Sequence, residues 1–153
     1  MRASRFMGSC LLFVLVAATQ AQKEQRWVIL PPGAANTIPV KLFDDSIHLG
    51  SWQPSQADID GLETNLKQVS TLKPTGWGSS PVRIEHPERY YRQYIGMTDP
   101  RQRLIYVNAF CNEPPENWKA QLYIVMDGWT CYWQAFYNPT TKQFSNLLIN
   151  GRA

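Results

Sequence analysis

The chain has 153 residues, and its 15 basic and 12 acidic side chains give a formal net charge of +3. This length suggests a single domain. A charge this small gives no electrostatic reason to expect nucleic acid or an anionic membrane surface as a partner.

Residues 1–21 have the layout of a secretory signal peptide. Arg2 and Arg5 precede a short apolar run, and small residues up to Ala21 provide a cleavage site, with Ala18 as the second choice. The run is shorter than the ~20 residues that a membrane span needs; an N-terminal anchor helix is the alternative interpretation. Because two arginines are lost, the 15 basic residues fall to 13 against 12 acidic ones, a net charge of +1. We therefore expect an exported protein, periplasmic or extracellular, with no stable membrane span after cleavage.

Residues 22–53 have a mixed composition and predict an N-terminal arm that lies over the core. A short strand is expected at Arg26–Leu30. The following stretch, PPGAANTIP, has the composition of a loop. The compact domain is expected to span residues 54–153.

Residues 54–72 predict the main helix. Ser55 is a natural N-cap, and Asp58 three residues later can complete a capping box. Apolar residues then recur at helical spacing and form one stripe. The stripe consists of Ile59, Leu62, Leu66 and Val69. We expect this face of the helix to pack on a sheet.

From Pro87 onward the pattern is typical of strands. The predicted strands are Tyr90–Gly96, Arg103–Cys111, Gln121–Met126, Thr130–Tyr137 and Phe144–Ile149. Asp127-Gly128 is the strongest hairpin signal and would join the third and fourth strands, and Asn150-Gly151 is a further turn signal. The predicted fold is α+β, with one main helix packed on a four- to five-stranded antiparallel sheet.

A two-residue turn at Asp127-Gly128 divides the hairpin side chains between two faces, because strand faces alternate with every residue. One face is apolar and is expected to lie under the helix: Leu122, Ile124, Met126, Trp129, Cys131 and Trp133. The other face is amphipathic: Gln121, Tyr123, Val125, Thr130, Tyr132, Gln134 and Phe136. The second strand divides likewise, with Ile105, Val107, Ala109 and Cys111 facing away from Leu104, Tyr106, Asn108 and Phe110.

The amphipathic face is a candidate recognition surface, since tyrosine combines an apolar ring with a polar tip and suits interfaces. The candidate binding residues are Tyr90, Arg92, Tyr94, Tyr106, Asn108, Tyr123, Tyr132 and Gln134. In the alternatives, this face is covered by the N-terminal arm, covered by a second copy in a homodimer, or simply solvated.

Cys111 and Cys131 remain once Cys10 leaves with the signal peptide. In an exported chain a disulfide between them is the default, and its loop of about 20 residues is worth on the order of 3 kcal/mol. A simple meander would hold them about 15–20 Å apart, whereas a bridge needs Cα atoms within about 7 Å. The disulfide therefore predicts a non-sequential strand order in which the second and fourth strands are antiparallel neighbours. Two buried free thiols are the alternative.

No motif in the chain predicts catalysis. GxSxG, HExxH, phosphate-binding and CxxC patterns are absent, and His48 and His86 lack partners at metal-ligand spacing. We therefore expect no metal and no cofactor. The favoured function is an exported non-enzymatic protein that binds an unknown protein or small ligand through the tyrosine-rich face or its loops. The alternatives are a secreted enzyme with an unrecognised site and a structural envelope protein that dimerises through that face.

Four stretches of the chain carry a resemblance: YYRQYIG, LIYVNAFC, DGWTCYW and YNPTTKQFSNLLINGRA. They resemble segments of an uncharacterised group of small secreted bacterial proteins, over roughly residues 87–153. The resemblance implies no activity. The expected shape is also loosely similar to cystatin-like domains, in which a helix lies on a curved antiparallel sheet. The chain lacks an inhibitory loop of the Gln-x-Val-x-Gly type, so protease inhibition is not implied.

Overall fold

The computed structural model describes residues 25–37, 52–75, 82–99 and 101–152. The predicted signal peptide and much of the predicted arm, His48 included, lie outside the described residues. Within those four ranges, no helix combines the length and the apolar character that crossing a membrane requires.

A five-stranded sheet forms the centre of the domain. Its strands are β1 Trp27–Ile29, β2 Tyr91–Asp99, β3 Gln102–Phe110, β4 Tyr132–Asn138 and β5 Gln143–Ile149. They lie side by side in chain order. Neighbours from β2 to β5 are antiparallel, whereas β1 runs parallel to β2 across a long connection that contains the helix. The α+β prediction is confirmed, but the sheet is mixed rather than wholly antiparallel.

The predicted helix is present as α1, Gln56–Asn65, and continues as a 3₁₀ helix over Leu66–Thr71. Its capping box is formed: the Ser55 hydroxyl accepts from the Asp58 amide at 3.3 Å, and the Asp58 carboxylate accepts from the Ser55 amide at 2.8 Å. The predicted apolar stripe is buried against the sheet. The sequence pattern therefore located both the start and the packing face of this element.

The main core lies between the helix and one face of the sheet. Alternate strand residues point into it: Tyr94, Ile105, Val107, Ala109, Trp133, Ala135 and Tyr137. Trp133 is fully buried there. Within β3 and β4 the predicted face assignment is confirmed. The two cysteines were predicted on the helix face as well, which is wrong: Cys131 packs with Phe110 and Tyr132 on the opposite side, and Cys111 is exposed.

The predicted third strand does not exist. β3 pairs directly with β4, with Phe110 opposite Tyr132, and residues 111–131 form one long loop between them. The Asp127-Gly128 hairpin is therefore wrong; Gly128 instead adopts φ +95° ahead of a 3₁₀ turn at Trp129–Cys131. The placement of this segment under the helix is also wrong. Leu122 packs on the opposite face of the sheet, and Met126 is 65% exposed.

The predicted disulfide between Cys111 and Cys131 is formed, with a Cα–Cα distance of 4.9 Å. It closes the long loop at its base, where the Cys111 amide also donates to the Cys131 carbonyl at 2.9 Å. Cys111 is exposed and Cys131 is half-buried. The strands that flank the loop are antiparallel neighbours, as the bridge required. The strand order is nevertheless sequential, because the segment that would have come between them lies outside the sheet.

The second face of the sheet is covered as well. Leu30 and Ala34 from the N-terminal part pack over one half together with Leu122 of the long loop, and Trp118 and Tyr123 of that loop pack over the other half. The alternative in which the N-terminal arm covers this face is thus right in part. The expectation of an open tyrosine face, available for recognition or for a dimer contact, is wrong because the protein's own loop occupies it.

Candidate functional site

The eight predicted binding residues are divided between the two faces of the sheet. Tyr90, Arg92 and Tyr94 lie on the helix side, since Tyr94 is paired with Val107 of the main core, so their place on the tyrosine face is wrong. The opposite face carries the other five: Tyr106, Asn108, Tyr123, Tyr132 and Gln134. Six of the eight are buried, while Tyr90 and Tyr123 are half-buried.

Arg92 forms a buried ion pair that joins the helix to the sheet. The side chain is 3% exposed, and its Nη2 lies 3.1 Å from a carboxylate oxygen of Glu63. The Tyr94 hydroxyl donates to the same carboxylate, and Arg92 Nη1 donates to carbonyls of the turn at Pro87–Arg89. Burial alone would lower the pKa of Arg92, but Tyr94 and Glu63 outweigh it and raise that pKa. Arg92 therefore remains charged and holds α1 on β2.

Tyr123 and Tyr132 meet beneath the long loop, with ring centroids 6.3 Å apart. The ring centroids of Phe110 and Tyr123 are 5.1 Å apart. The Tyr132 hydroxyl accepts a hydrogen bond from Asn112 Nδ2 at 3.0 Å. Trp118 completes this aromatic cluster. Both tyrosines thus anchor the loop next to its disulfide.

Four side-chain amides cross the covered face of the sheet; we call them the amide row. Gln93, Asn108 and Gln134 occupy paired positions on β2, β3 and β4, and Asn150 follows β5. Asn108 Nδ2 donates to Gln93 Oε1 at 3.0 Å. Gln134 Nε2 donates to Asn108 Oδ1 at 3.4 Å and to Asn150 Oδ1 at 3.2 Å. The row is therefore a continuous hydrogen-bonded chain of buried groups.

The amide row holds the long loop against the sheet. Donors from Gln93, Asn108 and Asn150 bond backbone carbonyls of the loop. The accepting carbonyls belong to Trp118, Gln121, Tyr123, Val125 and Asp127. From residue 121 they alternate, as in an extended chain. Buried carbonyls need partners, and side-chain amides here supply what a neighbouring strand would supply in a sheet.

A cavity of about 410 Å³ lies between the long loop and β5. Loop residues 124–127 form one wall and residues 148–151 form the other, with Tyr106 and Gln134 of the sheet between them. Most of the walls are aliphatic. The exposed Met126 side chain borders the opening. This loop–β5 cavity contains two of the predicted binding residues.

Gln134, one of the residues that line this cavity, carries a buried acceptor that is not used. The residue is 5% exposed, and its Oε1 has no hydrogen-bond partner among the described residues. The Asn108 and Asn150 amides are fixed by the bonds that their Nδ2 atoms donate, so Gln134 must donate to both through Nε2. Its oxygen is therefore the atom left over. Trp133 Nε1 and the Tyr137 hydroxyl also lack partners within the described part of the chain, but these side chains belong to the main core.

Two further hollows are more polar. One of about 640 Å³ lies on the other side of the long loop, between residues 31–34 and 117–124. The other, of about 790 Å³, lies among Lys67, Arg83 and the Glu85–Arg89 segment. His86, at its edge, is exposed and lies 3.3 Å from Glu88. In the described part of the chain, no three His, Cys, Asp or Glu side chains are grouped to hold a metal ion.

Comparison with known proteins leaves the site to be judged on its own geometry. No family model matches the chain, and no curated protein or solved structure is similar to it. The resemblance to small secreted bacterial proteins stays a prediction.

Sequence reasoning found Asn108 and Gln134 but missed Gln93 and Asn150. The prediction puts Arg92 and Tyr94 of β2 on the face that carries Gln93 in the structure. Because the alternation of β2 is thus one residue out of step, Gln93 was missed. Asn150 was interpreted as a turn residue. The available signal was the recurrence of Asn or Gln in strands whose other residues are apolar, since buried amides need partners.

Proposed function

We propose that this protein is an exported, non-enzymatic binding protein that holds a small ligand in the loop–β5 cavity. The observation that carries the proposal is the cavity itself, about 410 Å³ in volume and lined mostly by aliphatic side chains. The disulfide is compatible with export.

The size and chemistry of the cavity support binding. Ligand pockets are typically about 300–1,000 Å³ with apolar walls and a few placed polar groups, and this cavity of about 410 Å³ has that character. Ile124, Val125 and Leu148 offer apolar contact, while the Asp127 carboxylate offers an acceptor. The lining thus combines apolar surface, which gives affinity, with a polar group, which can orient a ligand.

The same lining favours binding over catalysis. Acid–base and nucleophilic chemistry need a titratable pair within hydrogen-bond reach. The described lining residues include one carboxylate, Asp127, and neither histidine nor cysteine. Burial raises the pKa of Tyr106, which makes its hydroxyl a weaker acid than that of an exposed tyrosine.

The walls of the cavity are held in place before any ligand arrives. The Cys111–Cys131 bridge fixes the base of the long loop. Asn150 Nδ2 fixes the segment that forms the cavity wall by donating to the carbonyls of Val125 and Asp127. A preorganised site avoids part of the ordering cost of binding. This rigidity is expected of a binding protein that recognises one chemical class.

Titration of the oxidised mature protein, methyl-labelled at Ile, Leu, Val and Met, with 1-hexanol tests the proposal. We expect saturable shifts at Ile124, Val125, Met126 and Leu148. Gly151→Leu should abolish them, because Gly151 lines the cavity and an added Cβ would make only an ordinary contact, 3.6 Å from Asp127 Oδ1. Gly33→Leu is the matched control, since Gly33 has nothing within 4 Å of an added Cβ. Absence of saturable shifts, or shifts that persist in Gly151→Leu, would refute the proposed site.

A further inference from the structure

We propose that Met126 is an oxidation site, and that its conversion to methionine sulfoxide by a hydroperoxide such as hydrogen peroxide weakens ligand binding in the loop–β5 cavity. This inference rests on the proposed function and adds a means of regulation to the same site. It follows from the exposure of Met126, from the side of the long loop on which it lies, and from the chemistry of its thioether.

Met126 is exposed, whereas the other methionine of the described chain is buried. Met126 is 65% exposed, and no other large hydrophobic side chain within residues 25–37, 52–75, 82–99 and 101–152 is exposed. Met97 is 1% exposed. The remaining methionines, Met1 and Met7, belong to the predicted signal peptide, outside the described residues. A dissolved oxidant can therefore reach the Met126 side chain, while the fold shields that of Met97.

Met126 lies on the cavity side of the long loop. Carbonyls of residues 121, 123, 125 and 127 accept hydrogen bonds from the amide row, so this segment is extended and its side chains alternate. Val125 packs on the aromatic cluster, whereas Leu122 packs on the cluster that contains Tyr106, a residue of the cavity wall. The alternation places Met126 on the side of Leu122, and Met126 is itself one of the lining residues.

The backbone around Met126 is fixed, while its side chain can rotate. Asn150 Nδ2 donates to the carbonyls of Val125 and Asp127, one on each side of Met126. A methionine side chain has three rotatable bonds and a polarizable thioether, and it adapts to apolar surfaces of different shape. Contact with a ligand at the cavity opening would remove apolar surface of Met126 from water, which favours binding.

The thioether sulfur of Met126 is the atom that a hydroperoxide would oxidise. The sulfur attacks a peroxide oxygen, so that an S–O bond forms, the O–O bond breaks, and hydrogen peroxide is reduced by two electrons to water. Both described cysteines are joined in the Cys111–Cys131 bridge, so neither offers a competing thiolate. The product, methionine sulfoxide, is polar. A ligand in contact with it would therefore gain less from apolar burial.

Peptide mass spectrometry of the mature protein, with its disulfide intact, tests the oxidation site. In dilute hydrogen peroxide, the folded protein should gain an oxygen at Met126 at least about tenfold faster than at Met97, because oxidation requires access to the sulfur. In urea the two rates should become similar, since unfolding exposes both side chains. Similar rates in the folded protein, or slower oxidation of Met126, would overturn the inference.

NMR titration with 1-hexanol tests the consequence for binding. The sulfoxide form should bind about fourfold more weakly than the untreated protein, which corresponds to the loss of about one buried methylene. Treatment with methionine sulfoxide reductase should restore the affinity, because the sulfoxide is reducible. In Met126→Leu, which has no thioether at this position, hydrogen peroxide should leave the affinity at the value measured for that variant before treatment.

The outcomes separate this inference from the proposed function. An unchanged affinity of the sulfoxide form would overturn the inference, and so would a loss of affinity after peroxide that also occurs in Met126→Leu. Either result leaves the proposed function intact, provided that the untreated protein binds 1-hexanol. If the untreated protein shows no saturable binding, the proposed function fails, and the regulation inferred for its site fails with it.

Discussion

The two faces of the sheet are covered in different ways. On the helix side, an apolar stripe packs on alternating strand residues, and the stabilisation comes from buried side chains. On the other side, a segment without regular secondary structure is held by the amide row, which bonds its backbone carbonyls. The first face is closed mainly by apolar packing, with the Arg92–Glu63 ion pair joining helix and sheet. The second face combines packing with hydrogen bonds from the amide row and leaves the loop–β5 cavity at its edge. The difference shows how a fold can combine a rigid core with a binding site on one sheet.

The largest effect is expected from the helix side. Trp133→Ala removes a fully buried side chain from the main core, which should cost about 3–5 kcal/mol of unfolding free energy. Urea unfolding followed by circular dichroism measures this cost. Met126→Ala is the control, because that side chain is 65% exposed and should change stability by less than about 0.5 kcal/mol. A cost below about 1 kcal/mol for Trp133→Ala would mean that this face is not the main core.

The disulfide should matter next. Replacing Cys111 and Cys131 together with serine frees a loop closed over 20 residues of sequence separation, worth on the order of 3 kcal/mol. Both the midpoint of urea unfolding and the affinity for 1-hexanol should fall, because the loop carries one wall of the cavity. Unchanged affinity with lowered stability would show that the amide row alone positions the wall.

Gln93→Leu tests the amide row. The substitution leaves the Gln121 carbonyl and the Tyr123 amide without the partners that Gln93 provides, which should cost about 1–3 kcal/mol. In contrast to Trp133→Ala, the damage should be local: hydrogen exchange should quicken in the long loop while α1 stays protected. Gln56→Leu, an exposed glutamine on the helix, provides the matched control. Uniformly faster hydrogen exchange across the domain would contradict the prediction that the damage is confined to the covered face.

The loss of stability at alkaline pH can be compared between the two faces of the sheet, because each face carries a buried tyrosine. Burial raises the pKa of Tyr94 on the helix side and of Tyr106 on the other. The unfolded chain releases these protons near pH 10 while the folded protein retains them, so this contribution is intact below about pH 10 and is lost as the pH rises towards the folded pKa values. Above about pH 10, each tyrosine should lower the free energy of unfolding by at most about 1.4 kcal/mol per pH unit. Tyr106→Phe should reduce the slope of unfolding free energy against pH, and an unchanged slope would show that Tyr106 titrates normally.

The helix side could be predicted from the sequence because its signals are local and periodic. Ser55 and Asp58 mark the start of the helix, and the stripe from Ile59 to Val69 marks its buried face. The alternation in β3 and β4 assigned Val107 and Trp133 to the correct face. These features depend on residues close together in the chain, and a period of two or of three to four residues records them directly.

The covered face could be predicted only in part, because its key contacts join distant residues. Segment 121–126 has the alternation of a strand and is extended, but its carbonyls are bonded by side chains from β2, β3 and Asn150, and no periodicity records that. The Cys111–Cys131 pair could have corrected the prediction of a strand at residues 121–126. A bridge requires β3 and β4 to be neighbours, which leaves no room for a strand between them. The cavity is formed by residues far apart in the chain, so it had no signal of its own.

The central claim is that the cavity between the long loop and β5 holds a small ligand. A crystal structure of the oxidised mature protein soaked with 1-hexanol tests it most directly. We expect the alkyl chain to lie between residues 124–127 and 148–151. A structure in which segment 121–126 pairs as a strand within the sheet, or in which side chains of the protein fill the cavity and 1-hexanol is absent from it, would contradict the account.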